Sequence, residues 1–206
     1  MVKVKWNQLA DKKIVQKTID SLKKNGITAY YVETSEEANK KVLELLPEGS
    51  EVMNMTSMTL DSIGISELIQ KSGKFNSIRN KILSMDREKQ GKEMQKLGAA
   101  PEWVIGSAHA VTQDGHVMIA SASGSQLPAY SYGSSNVIWV VGTQKIVKTD
   151  DEGIKRIYEH CLPLESERAR KAYGVPGSSI NKLLIINKEF QEGRIYLIFV
   201  NEVLGF

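Results

Sequence analysis

Cysteine is almost absent from this 206-residue chain, where Cys161 stands alone. One thiol excludes an intramolecular disulfide, and within one chain it cannot hold an iron–sulfur cluster or a cysteine-based zinc site. Charge of one sign is also missing. The 27 Lys and Arg are interleaved with 24 Asp and Glu, leaving +3 and no basic stripe of the kind a nucleic-acid footprint needs. No apolar run approaches the roughly 18 residues of a membrane span. The charged start MVKVKWNQLADKK has no signal-like apolar core. A reducing cytoplasm is the expected setting, with neither nucleic acid nor membrane as partner.

Familiar catalytic signatures are missing too. There is no GxxxxGK, no GxGxxG opening a helix after a strand, no HExxH and no GxSxG elbow. Their joint absence disfavours standard nucleotide hydrolysis, zincin chemistry and the α/β-hydrolase mechanism. His109 and His116 bracket a turn without a third ligand, so no metal site is expected.

What remains is ordinary globular material, 41% hydrophobic and 25% charged, enough for one domain over residues 1–206. An apolar stripe of Trp6, Leu9, Ile14, Val15, Ile19 and Leu22 predicts an amphipathic helix over 6–24, stopped by Asn25-Gly26. Strands are expected over 27–32 and 51–55, and a helix capped by Ser35 lies between them. Further helices are expected over 56–69, 80–97 and 164–173, and one starting at Thr149-Asp150-Asp151-Glu152 runs toward His160. Strands over 104–111, 116–122, 137–141, 183–186 and 194–200 complete the pattern. Early β-α-β-α alternation and the apolar run NVIWVVG point to an α/β fold with helices on both sheet faces. A hairpin at Gln113-Asp114-Gly115 and a closing strand pair make the sheet mixed.

The richest stretch is 121–135, SASGSQLPAYSYGSS. Ser121, Ser123, Gly124, Ser125 and Gln126 gather hydroxyls, an amide and a flexible backbone position at a strand end, where α/β folds bind ligands. A flexible connector is the plain alternative, but Tyr130 and Tyr132 within it favour a binding wall. Ser57 and Thr59 open a helix after a strand; they either cap it or help its amides receive an anion. Ser107 and His109 share one face of the 104–111 strand. His109 is a weak catalytic candidate, since imidazole titrates near neutrality, and a hydrogen-bonded sheet histidine explains it as well. His116, after the hairpin turn, is expected to face solvent. Lys145 ends the most apolar strand. There it can neutralise a carboxylate or phosphate, serve as a Schiff-base amine if desolvated, or lie on the surface. Glu165 and Arg168, at i,i+3, read as a structural ion pair. Cys161 and His160, about 100° apart on a helix, do not form a nucleophile pair.

Five segments together resemble the LUD-domain family, the lactate-utilization protein C-like group, in its shorter form. They are Gly106-Ser107-Ala108-His109-Ala110-Val111-Thr112, the run from Ala120 to Gln126, and Val140-Val141-Gly142-Thr143-Gln144-Lys145-Ile146-Val147. Leu162-Pro163-Leu164-Glu165 with Arg168 and the terminal Asn201-Glu202-Val203-Leu204-Gly205-Phe206 complete the set. The resemblance implies a fold like the ribose-phosphate isomerase, glucosamine-phosphate deaminase and CoA-transferase group. It also implies a role in lactate utilization beside iron–sulfur partner subunits. Longer members show an Ala-Glu-Thr-Gly turn where this chain has Ser121-Ala122-Ser123-Gly124, so chemistry needing that carboxylate is not expected.

Three functions follow as expectations. The first is a protein binding a small anionic metabolite or cofactor, accessory to oxidation of lactate or a related hydroxy acid. The second is a stand-alone enzyme acting on a phosphorylated sugar, a folate or a CoA thioester. The third is a scaffold using Trp103, Trp139 and the apolar chain end as an interface. A homo-oligomer is compatible with each.

Overall fold

The computed structural model describes residues 6–206; the charged start of the chain, 1–5, lies outside the described residues. Helix α1 (Lys12–Lys24) turns Val15, Thr18 and Leu22 inward and ends at Asn25, with Gly26 at φ +78°. It begins six residues later than the apolar stripe predicts. Trp6 does not continue that stripe but packs with the cluster under α7 (Asp150–Arg156), and Asp11 is extended. Strand β1 (Thr28–Val32) leads to α2 (Ser35–Leu45). Thr34, not Ser35, caps α2, its side chain accepting from the Glu37 amide at 3.3 Å.

Strand β2 (Glu51–Asn54) is followed by α3 (Met58–Ser62) and α4 (Ile65–Lys71). The single helix expected over 56–69 is broken because Gly64 adopts φ +77°. Strand β3 (Asn76–Ser77) then precedes α5 (Ile78–Leu83) and α6 (Arg87–Ala99). These last two replace the continuous helix expected over 80–97. Asp86 starts a new helix by accepting from the Glu88 amide at 3.0 Å.

Next come β4 (Trp103–Gly106), β5 (Ala110–Thr112) and β6 (Val117–Ser121). The strand expected over 104–111 is therefore two strands, in different sheets. A π-helical turn (Ala129–Gly133), β7 (Asn136–Gly142), a 3-10 turn (Thr143–Lys145) and β8 (Ile146–Val147) follow. Helix α7 runs through a π turn (Ile157–Cys161) into α8 (Leu162–Tyr173), before β9 (Lys182–Ile186) and β10 (Ile195–Val200).

Six strands form a wholly parallel central sheet in the order β1-β10-β7-β4-β2-β3. The antiparallel pairs sit in a second sheet, β8-β5-β6-β9. β9 and β10 do not pair with each other, contrary to expectation; β9 joins β6 and β10 lies between β1 and β7. Strand alternation supplies two cores. Val137, Trp139 and Val141 pack with residues of α1, α5 and the second sheet, whereas Ile138 and Val140 pack with α2, α3 and α4. Each such aliphatic side chain contributes about 1.5–3 kcal/mol on burial. Trp103 and Trp139 are buried in these cores, so neither supplies an exposed interface. Among the described residues, no helix is long and apolar enough to cross a membrane.

Candidate functional site

All six central strands point the same way, so their carboxyl ends share one rim. Chain order makes the connections diverge there: β2 leads outward to β3, while β4 leads the other way to β7. Diverging connections leave a crevice with no crossing segment above it. A cavity of about 330 Å³ occupies it. Its walls are the segments after β2 (Ser57, Thr59), after β4 (Ser107, His109) and after β7 (Lys145). The end of β6 and its loop, with Ser121, Ser123, Ser125 and Gln126, form the opposite wall, and α8 adds Glu165 and Arg168.

The structure thus brings together the predicted residues, with one exception. Gly124 does not line the cavity. It has φ +85°, its amide donates to Ser121 Oγ at 2.8 Å, and a Cβ there would meet Lys182 Cδ at 2.5 Å. Its part is to turn the loop. Ser121 Oγ also donates to Gln126 Oε1 at 3.1 Å, and Ser123 Oγ donates to Ser125 Oγ at 3.1 Å. The loop is consequently a self-bonded wall and not a loose connector. Ser57 caps α3, accepting from the Leu60 amide at 3.4 Å.

Lys145 is 2% exposed, not a surface residue. Its Nζ donates to Thr59 Oγ1 at 3.0 Å and Ser107 Oγ at 3.2 Å, and finds no carboxylate among the described residues. Both acceptors have spent their own hydrogens: Thr59 donates to the Leu204 carbonyl at 3.2 Å, and Ser107 to the Ala108 carbonyl at 3.4 Å. Burial, and next the positive charge of Arg156, push the Lys145 ammonium down to about 7, with Cys161 opposing.

His109 lies in the break between β4 and β5, not on a strand face as expected. Its Nδ1 accepts from the Ala120 amide at 3.2 Å, so the ring proton resides on Nε2, for which no hydrogen-bond partner is found among the described residues. Burial, then Lys145 and Arg156, lower its pKa to about 3. The ring is therefore a neutral hydrogen-bond donor at physiological pH. His116, expected in solvent, is half-buried and pairs with Asp150 at 3.0 Å.

Several contributors escaped the sequence reading. Arg168 grips Glu165 through two 2.7 Å bonds, Nε to Oε2 and Nη2 to Oε1, and this pair faces the cavity. Local spacing reveals the pair but not the direction of α8. Arg156 is fully buried; its Nη1 donates to the His109 carbonyl at 2.6 Å and to Cys161 Sγ at 3.0 Å. At the rim, Arg79 Nη2 donates to Thr56 Oγ1 at 2.7 Å. No signal in the sequence marks Arg79 or Arg156. Among the described residues, no group of three or more His, Cys, Asp or Glu is placed to hold a metal. Chemically, the cavity offers neutral donors and a positive field, and Glu165, its one lining side-chain carboxylate among the described residues, is already bonded.

No curated protein matches the chain. A solved structure, of a DUF162 family protein from Deinococcus radiodurans, superposes with a TM-score of 0.56 at 13% identity. The match covers 94% of this chain and 99% of that one, and identity at this level speaks to fold alone. A mainly parallel sheet flanked by helices is consistent with the ribose-phosphate isomerase and glucosamine-phosphate deaminase fold. The family profile described as LUD domain matches residues 15–200, the span from α1 to the last strand that builds every wall segment but the chain end, and the chain belongs to the LUD domain family.

Proposed function

We propose that the cavity binds a small organic anion, a carboxylate or a phosphate ester, and that the protein is an accessory component of lactate or related hydroxy-acid utilization. The family is associated with lactate utilization. One observation carries the ligand class: Lys145 is buried in the cavity wall with two hydroxyl acceptors and, among the described residues, no counter-ion. A desolvated cation without a protein anion favours an anionic guest. Arg156 and Arg79 reinforce that field, for neither forms an ion pair among the described residues. His109 Nε2–H and the hydroxyl of Ser125, which Ser123 Oγ orients by donating to it at 3.1 Å, supply neutral donors. With Cys161 as its only cysteine, the chain would hold no iron–sulfur cluster by itself, and such clusters would belong to partner subunits.

A glutamate-nucleophile acyl transfer of the CoA-transferase type finds no support. Glu165 is the one side-chain carboxylate in the wall among the described residues, and both its oxygens are held by Arg168. The anion reading is tested by thermal unfolding with lactate, pyruvate and inorganic phosphate against the neutral lactamide. The anions should raise Tm, and Lys145→Met combined with Ser123→Ala should abolish the rise. Equal shifts with lactamide, or unchanged shifts in the double variant, would remove these residues from the site.

A further inference from the structure

We propose that Lys145 is a carbonyl-trapping amine, forming an imine in the cavity with a small aldehyde or ketone that also bears a carboxylate or phosphate. The inference rests on the anion-binding reading and adds to it a covalent step. Its basis is the geometry around Nζ. An amine carries two hydrogens and one lone pair, and the site provides two acceptors, Thr59 Oγ1 at 3.0 Å and Ser107 Oγ at 3.2 Å. Both hydroxyls are committed as donors elsewhere, to Leu204 and Ala108, so each presents a lone pair to Lys145. An ammonium would carry a third hydrogen, and no third acceptor lies within reach among the described residues. The bracket suits the neutral amine, whose free direction is the nucleophilic lone pair.

Three further features agree. The Lys145 pKa of about 7 leaves a large neutral fraction at physiological pH, whereas an exposed lysine has almost none. His109 is held as a neutral Nε2–H donor, suited to a carbonyl oxygen as charge builds on it. The cavity, at about 330 Å³, lies at the small end of ligand pockets. The step balances without an added reagent. The amine lone pair forms the C–N bond, the carbonyl π pair moves to oxygen, and both amine hydrogens leave with that oxygen as one water. No atom is oxidised or reduced.

The test is reductive trapping on the whole chain. Protein is incubated separately with pyruvate, glyceraldehyde 3-phosphate, acetone and glyceraldehyde. Cyanoborohydride is then added, and the adduct is located by intact mass and peptide mapping. The expected result is one adduct per chain, on Lys145, with at least one anionic probe; whether pyruvate or the triose phosphate reacts identifies a 2-oxo acid or a phosphosugar. Its yield should rise about thirtyfold from about pH 5.5 to about pH 8, as a group titrating near 7 requires. Lys145→Arg and Lys145→Met should each give no adduct, with the native fold of each variant verified by circular dichroism. Absence of a Lys145 adduct with every probe, or modification spread evenly over surface lysines, overturns the inference. Equal yield from acetone and glyceraldehyde overturns the anionic requirement. Lactate and phosphate, which have no carbonyl to trap, are run in parallel by thermal shift. A shift with them but no adduct sinks the imine and leaves anion binding standing.

Discussion

Lys145 and Thr59, 86 positions apart in the chain, meet across 3.0 Å beneath the Leu204 carbonyl. This bond ties the segment after β7 to the first turn of α3, and Thr59 ties both to the chain end. It also joins stability to ligand chemistry, because the same lysine nitrogen that lines the cavity holds two strand ends together. Gln144 strengthens the knot, donating from Nε2 to the same carbonyl at 3.0 Å.

Thr59→Val should show what this bracket contributes. The substitution keeps the shape but leaves Lys145 with one acceptor and the Leu204 carbonyl with one donor fewer. A loss of about 1–3 kcal/mol is expected in urea unfolding, the range for stranding buried polar groups. Lys145 should also titrate lower than in the wild type, as read by lysine NMR.

The pH dependence of stability has a definite sign at Lys145. Its folded pKa of about 7 lies below its ordinary value of 10.5. Between the two, the unfolded chain holds more protons, so the contribution of this site to stability rises with pH across that window. Well below the folded value the penalty for burying the charge is complete. Lys145→Met therefore gains most over the wild type near about pH 6, and the gain should shrink toward about pH 9. Paired melting curves at the two pH values check this. A gap that is constant or widens would show that the lysine is not desolvated.

Gly205→Ala should be costly although the residue lies next to the end of the chain. Gly205 has φ +60°, and a Cβ would stand 2.5 Å from Thr59 Oγ1 and 3.5 Å from Lys145 Nζ. Left-handed strain alone costs about 1–3 kcal/mol for a non-glycine residue. Loss of stability should be accompanied by weaker anion binding, measured by calorimetry, since the added methyl disturbs the lysine bracket directly.

Glu165→Gln addresses the α8 wall. Arg168 is held near neutral overall by Glu165 through two 2.7 Å bonds. Removing that negative charge should tighten phosphate or pyruvate binding by roughly threefold to tenfold, about 1 kcal/mol of relieved repulsion and freed cation. Arg168→Met should weaken it. Identical affinities in all three proteins would place α8 outside the recognition surface.

Legibility of the fold followed the reach of each interaction. Thr149 was recognisable as a helix start because its acceptor bond, to the Glu152 amide at 3.3 Å, spans three residues. The 6–24 helix was overextended because Trp6 and Leu9 satisfy the period, while Trp6 is drawn off by the cluster under α7. Gly106 to Ala110 looked like continuous strand because nothing local marks a change of sheet. In the structure β4 pairs with β2 and β7, β5 with β6 and β8, and the three residues between them become cavity wall.

Composition and local pattern alone determined that this is one α/β chain without an internal disulfide, that hydroxyls gather around 121–126, and that Lys145 closes the most apolar strand. Each is a property of neighbours in sequence. Strand order, the burial of Lys145 and the turning of Arg168 inward were decided only by tertiary structure. Parallel strands must be joined by long crossovers, so residues on one rim are far apart in the chain, and a side chain's charge state depends on what those distant segments exclude or supply.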